Sequence, residues 1–407
     1  MAENVMKVSR NNTFRFEGTV NVTDKTFVIN KTNEKGTWVQ NRMGLSIDCG
    51  DDGYQFVTLN GGYNPTNDSI IYLSTVDEDG NFLGREHQLE IKFDERHNIS
   101  KEDMERVNKN NLIRVKLDNE SEQFFITPYD AVDYLKDKIV DGMTLVVSGT
   151  IEESPSANGD DWYTNHVVTR ITSKSKDLLK PSAVVDYTFL VDKDVVGQPN
   201  LEDMNVPLFF KGVTYVRKVG DKKYNQACVF PKKVLYEAND FNTDAGRKKF
   251  AFGVEKYFTP SKEGFVDELQ IRCRYKSGAK MASLKIEDLP QDIQNAITMG
   301  FMTEEQIMAN AMAISGNRTT DLVFVRVNTS IKDVTDSEGN STPVIQAIRT
   351  PEKYKTSELV EFENLTPIED NSEKAAPADN YEIADEEINE TAQNILNMFA
   401  SFNNGNA

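Results

Sequence analysis

Residues 127–151, TPYDAVDYLKDKIVDGMTLVVSGTI, constrain the fold more than any other stretch of this chain. Thr127 can cap a helix, Pro128 suits a first helical position, and Asp130 lies near the positive end of the helix dipole. Val132, Leu135 and Ile139 then share one helical face. The β-prone run MTLVVSGTI follows at once, so the spacing predicts a helix leading straight into a strand.

The flanks supply the other strands. Residues 13–22 (TFRFEGTVNV) alternate, and 43–49 and 54–59 are two further β-prone runs joined by the turn GDDG. The loop SPSANGDD precedes another predicted strand at 166–171. A turn is expected at DEDGN within 76–82. It resembles the start of a calcium loop but lacks the spaced acids and terminal Glu of an EF-hand.

A similar order recurs downstream. Strands are predicted at 184–191 and 208–219, then, after the turn KVGDKKY, at 246–258 (GRKKFAFGVEKYF) and 269–276. Two helices follow. Pro290 opens one whose Ile293, Ala296 and Ile297 share a face and which Gly300 can end. Thr303 and Gln306 form a capping box for the next, with Met302 and Ile307 as a hydrophobic staple and Gly316 at its end. Strands at 321–328 and 344–350 are joined by TDSEGNST. A helix between the third and fourth strands of a small barrel is the chain order of the OB-fold. The expected architecture is mainly β with a few helices: tandem OB-fold-like barrels over about 10–176 and 182–355, the second with a helical insertion at 284–315, and an acidic flexible tail over 356–407.

Charge is distributed unevenly. The net charge is −19, yet residues 361–407 hold eleven acids and one base, Lys374. Residues 211–280 run the other way, with sixteen Lys and Arg against eight Asp and Glu, and eleven aromatics among them. The local field, not the total, decides what binds where. The tail is too polar to bury a core and is expected to be disordered, but Ile388, Ile395, Leu396, Phe399 and Phe402 fall at helical spacing and suit a docking peptide.

In ELQIRCRYK (268–276), Arg272, Arg274 and Lys276 share one strand face while Tyr275 joins the apolar one. Their spacing of about 6–7 Å approaches the phosphate repeat of an extended single strand. Cross-strand salt bridges are the alternative. In GRKKFAFGVEKYF, Arg247, Lys248, Lys249 and Lys256 accompany Phe250, Phe252 and Tyr257. KFAFGVEKY departs from the RNA-recognition octamer, because the glycine after the first Lys is missing, so that fold is set aside. Phe250 and Phe252 can serve as stacking platforms or as core. Lys218, Lys222, Lys223, Lys232 and Lys233 surround Tyr224 and suit phosphate contacts. In the first half, Trp38 lies between Lys35 and Arg42 in a loop that on an OB-fold joins early strands and commonly meets the ligand; a buried anchoring tryptophan is the alternative.

These features resemble the layout of replication single-stranded DNA-binding proteins, particularly those of large bacteriophages. The resemblance covers the chain in layout and rests on no specific motif. It implies sequence-tolerant coverage of single-stranded DNA in replication, recombination or repair, and a tail that regulates binding and recruits replication or recombination proteins. The chain ends in SFNNGNA, without the Asp-Pro-Phe type ending of bacterial members, and lacks the zinc ligands of some phage members.

The function classes left open are few. Cys49, Cys228 and Cys273 form no CxxC pair, and His87, His97 and His166 stand apart from them, so neither a disulfide framework nor a paired-thiolate metal site is expected. No GxxxxGK[ST], HExxH or GxSxG motif occurs, so no enzyme and no cofactor are expected. A carboxylate-metal nuclease and a non-enzymatic virion or host-interaction adaptor remain as alternatives. No apolar run reaches the roughly 18 residues of a membrane span, and a cytoplasmic location, in the host cytoplasm if viral, is expected.

Overall fold

A computed structural model describes residues 6–368 except 78–80, 119, 157–158, 160, 201–202, 238–239, 242, 280–317 and 336–340. The second-half helices expected within 284–315 and the whole tail peptide from Ile388 to Phe402 lie outside the described residues.

The first barrel is built from β1 (Asn12–Asn21), β3 (Val39–Asp48), β4 (Tyr54–Tyr63), β9 (Thr144–Pro155) and β10 (Trp162–Ser173). A hairpin strand, β2 (Phe27–Thr32), pairs with β3. β1 pairs antiparallel with β3 and β9, β3 with β4, and β9 with β10, while β4 and β10 meet in parallel at Thr58 and Val167. That parallel contact closes the OB order, with β1 beside the second and fourth strands and the third beside the fifth. Between β4 and β9 lie the hairpin β5 (Ile70–Leu73) and β6 (Leu89–Lys92), α1 (Lys101–Arg106), β7 (Ile113–Lys116), β8 (Gln123–Phe125) and α2 (Pro128–Leu135). α2 is the helix anticipated from TPYDAVDYL: Thr127 Oγ1 accepts from the Asp130 N–H, and Val132, Leu135 and Ile139 are buried. The polar stretch before it, for which the sequence predicts no strand or helix, holds a small core of its own around Leu73, Val107 and Leu112.

The second barrel repeats the circuit with β11 (Ser182–Val191), β12 (Asn205–Val219), β13 (Lys222–Glu237), β14 (Phe265–Ala279) and β15 (Arg318–Val327). β13 and β15 are the parallel pair. A hairpin arm, β16 (Thr329–Thr335) and β17 (Ser341–Ala347), and the strand β18 (Arg349–Lys355) follow. The helix between the third and fourth strands is α3, Asp244–Tyr257, the segment predicted as a strand. Thr243 caps it by accepting from the Gly246 N–H. Phe250, Val254, Tyr257 and Phe258 recur at helical spacing and turn inward, so the 3.6-residue period won over the two-residue alternation of Phe250, Phe252 and Val254.

The barrels are joined through their equivalent first strands. One edge of β1 pairs with β11 from Thr13 to Glu17 and then with β3 from Thr19, and β11 divides its own edge between β1 and β12. Antiparallel pairing of equivalent strands is the arrangement a local two-fold gives. Gly18 marks the changeover, because a Cβ there would lie 2.0 Å from the Asp48 carbonyl oxygen. One continuous core runs through both barrels, from Phe14 and Leu45 to Ile271 and Leu322. Mainly β tandem OB-like barrels are therefore what the chain forms. Among the described residues, no helix is long and apolar enough to cross a membrane.

Candidate nucleic-acid interface

The cationic row on β14 is paired with the protein's own carboxylates. Arg272 makes a bidentate pair with Asp186 at 2.9 and 2.7 Å. Arg274 reaches across to Asp52 in the β3–β4 turn of the first barrel, and Lys276 Nζ lies 2.7 Å from Glu237. Tyr275 is half-buried in the seam between barrels, in ring contact with Phe16 and His166. Burial, then the Glu153 charge, pushes its phenol up. A cross-strand salt bridge is realised at Arg272 and Asp186, and the other two carboxylates, Asp52 and Glu237, come from outside the strands that pair with β14.

Several other expected contacts are structural. Lys232 is half-buried against the Glu153 carboxylate at 2.8 Å, where Tyr187 Oη and Thr164 Oγ1 also donate to that carboxylate. Tyr224 is buried beneath Leu365 and the ring of Phe362. Phe250 is core, against Tyr236, Phe241 and Val206. The α3 cations point outward: Arg247 pairs with Asp244, Lys249 stands 4.0 Å from Asp240, and Lys248 is exposed. Lys256 lies over the rings of exposed Phe252 and half-buried Tyr257. These side chains sit on a helix, so they do not form the flat sheet platform expected of them.

An outward surface does form on β3 and β4, the second and third strands of the first barrel. Tyr54 is 47% exposed and Phe56 38%, while Gln55 between them is 1% exposed. Alternation ordinarily buries rings and exposes amides; here it is inverted. The Gln55 amide is held inside because its Nε2 donates to the Asp52 and Tyr275 carbonyls at 2.7 and 2.9 Å. Further along the same face, Thr58 Oγ1 and Asn165 Oδ1 are 2.9 Å apart, Arg42 stands opposite Asn60, and Trp38 lies against Gly62. Lys35 is exposed in the β2–β3 turn beyond. Tyr163 on β10 is a further exposed ring. Lys35, Trp38 and Arg42 are expected from the sequence, whereas Tyr54, Phe56 and Tyr163 are not. The signal was present in YQF, where a polar residue flanked by rings leaves either side free to face the core.

The corresponding strands of the second barrel, β12 and β13, carry a smaller version. Phe209 is 51% exposed and stands directly opposite exposed Lys233, with Phe210 turned into the core. Tyr215 is exposed nearer the hairpin tip, where Arg217, Lys218, Lys222 and Lys223 gather. Lys218 and Lys223 face each other in register. The chain after β18 runs along the β13 edge: Val229 N–H donates to Val360 O, Lys211 pairs with Glu361, and Ile368 N–H donates to Lys223 O at 2.7 Å. This strap covers Tyr224 and leaves Phe209 and Lys233 open.

The described cysteines are buried and free, and burial lifts the Cys49 and Cys228 thiols to about 12. Among the described residues, no three His, Cys, Asp or Glu side chains come together as a metal-ligand set.

No protein-family model matches this chain, and no curated protein matches it in sequence. Among solved structures it is similar to an internally deleted, point-substituted form of the single-stranded DNA-binding protein of Thermus aquaticus, at 8% identity and a TM-score of 0.31, over 81% of this chain and 98% of that one. The wild-type form of that protein is similar at 10% identity and a TM-score of 0.29, over 66% of this chain and 85% of that one. Likeness at this level adds nothing to the fold assignment, which rests on the strand pairing.

Proposed function

We propose that the protein coats single-stranded DNA with little sequence preference, over the outer faces of β3–β4 and β12–β13. One observation carries the reading: Tyr54 and Phe56 are held outward on the third strand of an OB barrel while Gln55 is drawn into the core. Exposed rings on the second and third strands are where OB barrels stack bases, each worth about 1–3 kcal/mol and tolerant of base identity. Arg42, Lys35 and Lys233 supply positive charge beside the rings, so binding releases counterions and weakens with salt.

The setting we infer, on layout alone, is phage DNA replication, recombination or repair. The acidic tail is read as a regulator of binding and a handle for partner proteins. In support, the chain reaches Ile368 at the basic hairpin tip, and Glu369 and Asp370 follow in sequence. A fluorescent oligothymidylate, a duplex of equal length and an RNA oligomer, titrated at two salt concentrations, test the proposal. Tight, salt-sensitive binding of the single-stranded DNA with weak duplex binding is expected. Equal or absent binding of all three discards it.

A further inference from the structure

A second surface of the first barrel lies away from the β3–β4 face. Neighbouring strands there put five residues in one transverse row: Arg15 on β1 opposite Ser148 on β9, Ser148 opposite Arg170 on β10, Arg170 opposite Arg114 on β7, and Arg114 opposite Phe124 on β8. Residues in register share a face, and this one is outward, because Phe14, Phe16, Val147, Ile171, Ile113 and Val115 beside them are buried. Strands about 4.8 Å apart give the row a length of roughly 20 Å. In the next row Lys116 stands opposite Thr172. An open groove between these rows is lined by Arg15, Val146, Ser148, Arg170, Thr172 and Lys174.

The charges there do not cancel. Glu17 takes Arg15 and Lys174, and Glu122 takes one nitrogen of Arg170 at 3.0 Å. Arg114 has no ion-pair partner among the described residues. The Nε atoms of Arg114 and Arg170 are both shut off from solvent without an acceptor. The rest of each side chain reaches the surface, Arg170 being 42% exposed and Arg114 half-buried, and two guanidinium forks one strand apart suit a group with several oxygens. Ser148 and Thr172 add neutral donors.

We propose that this groove, together with Arg114 beside Arg170 at its edge, binds phosphate groups, carried by a polynucleotide backbone or free. Resting on the single-strand reading above, the strand crosses β10 from the β3–β4 face and seats phosphates between Arg114, Arg170 and Arg15, so that it wraps the barrel.

The test uses the full chain and Arg114→Gln, with Arg114→Lys as the charge-keeping control and a thermal melt to check folding. The probes are an oligothymidylate of about eight nucleotides, enough for one barrel face, and one of about forty. Arginine Nε–Hε resonances are followed with each probe and with inorganic phosphate. The proposal expects the Arg114 and Arg170 resonances to shift with the long probe. It also expects Arg114→Gln to weaken long-probe binding about five- to ten-fold and lower the salt slope by about one, with the short probe unaffected and Arg114→Lys retaining the slope. If both probes bind with those resonances still and Arg114→Gln is silent, the groove assignment is overturned while the single-strand reading stands. If neither oligonucleotide binds but inorganic phosphate shifts both resonances, the site stands with free phosphate as its ligand and the single-strand reading falls.

Discussion

Arg274 of the second barrel closes on Asp52 of the first, Nη2 to Oδ1 at 2.6 Å, and the Asp52 side chain is wholly buried. Asp52 also accepts the Ala183 N–H at 2.8 Å, so one carboxylate fixes both β11 and β14 to the β3–β4 turn. Gly53 allows this approach: its φ is +73°, and a Cβ would lie 1.8 Å from the Ser277 carbonyl oxygen.

The two halves of this pair are unequal. Arg274→Ala leaves a buried carboxylate without its cation and should cost about 3–5 kcal/mol. Asp52→Ala removes the buried charge itself and leaves an arginine with a route to water, so a smaller loss of about 1–3 kcal/mol is expected. Denaturant unfolding of both variants measures the order. An Arg274→Ala variant as stable as the wild type would show that the pair does not hold the barrels together.

Stacking and packing roles separate by substitution. Tyr54→Ala and Phe56→Ala should each weaken single-strand binding by about 1–3 kcal/mol with little change in stability, because both rings are largely exposed. Phe250→Ala should do the reverse, destabilising by about 3–5 kcal/mol as a core ring and leaving the affinity of the folded fraction alone. Paired melts and titrations decide the matter, and loss of affinity confined to Phe250→Ala would contradict the placement of the interface.

On the second barrel, Phe209 and Lys233 should act as a unit. Lys233→Gln is expected to lower the salt slope of binding by about one. Phe209→Ala should lower affinity equally at all salt concentrations. If Lys232→Gln alters the salt slope while Lys233→Gln does not, the buried partner of Glu153 has been misjudged as structural.

Stability should depend on pH through His166. Burial, then the nearby Lys232 charge, holds this imidazole down at about 3 against an ordinary 6.5, despite a hydrogen bond with the Phe56 backbone. A group depressed in the folded state contributes stability that is present above its unfolded value and lost as pH falls. Unfolding free energy should therefore drop from about pH 6.5 toward about pH 3, by roughly 1.4 kcal/mol per unit at most. Glu17 adds to the acid end of this loss: burial alone would raise it, but the Lys174 bond, the Lys180 N–H and Arg15 outweigh burial and hold it below 4.5. A His166→Phe variant whose stability falls as steeply as the wild type between pH 6.5 and 4.5 would remove the histidine from the account.

Local order was legible in the chain itself. The Thr127 cap, the face of Val132, Leu135 and Ile139, and the β-prone runs around them lie within a few residues of their causes, and they were enough to indicate a barrel with a helix before its fourth strand. The Asp244–Tyr257 helix was also encoded locally, in the Thr243 cap and the spacing of Phe250, Val254 and Tyr257, but Phe250, Phe252 and Val254 satisfy a strand equally well and hid it. What sequence could not decide was which cations stay unpaired and which rings stay outside. Arg272 and Arg274 meet carboxylates 86 and 222 residues away, and Gln55 is drawn inward by a carbonyl 220 residues away. Charge neutralisation and solvent exposure are set by what folding brings alongside a residue, so only the tertiary structure could move the candidate interface from β14 to the ring-bearing face of β3 and β4.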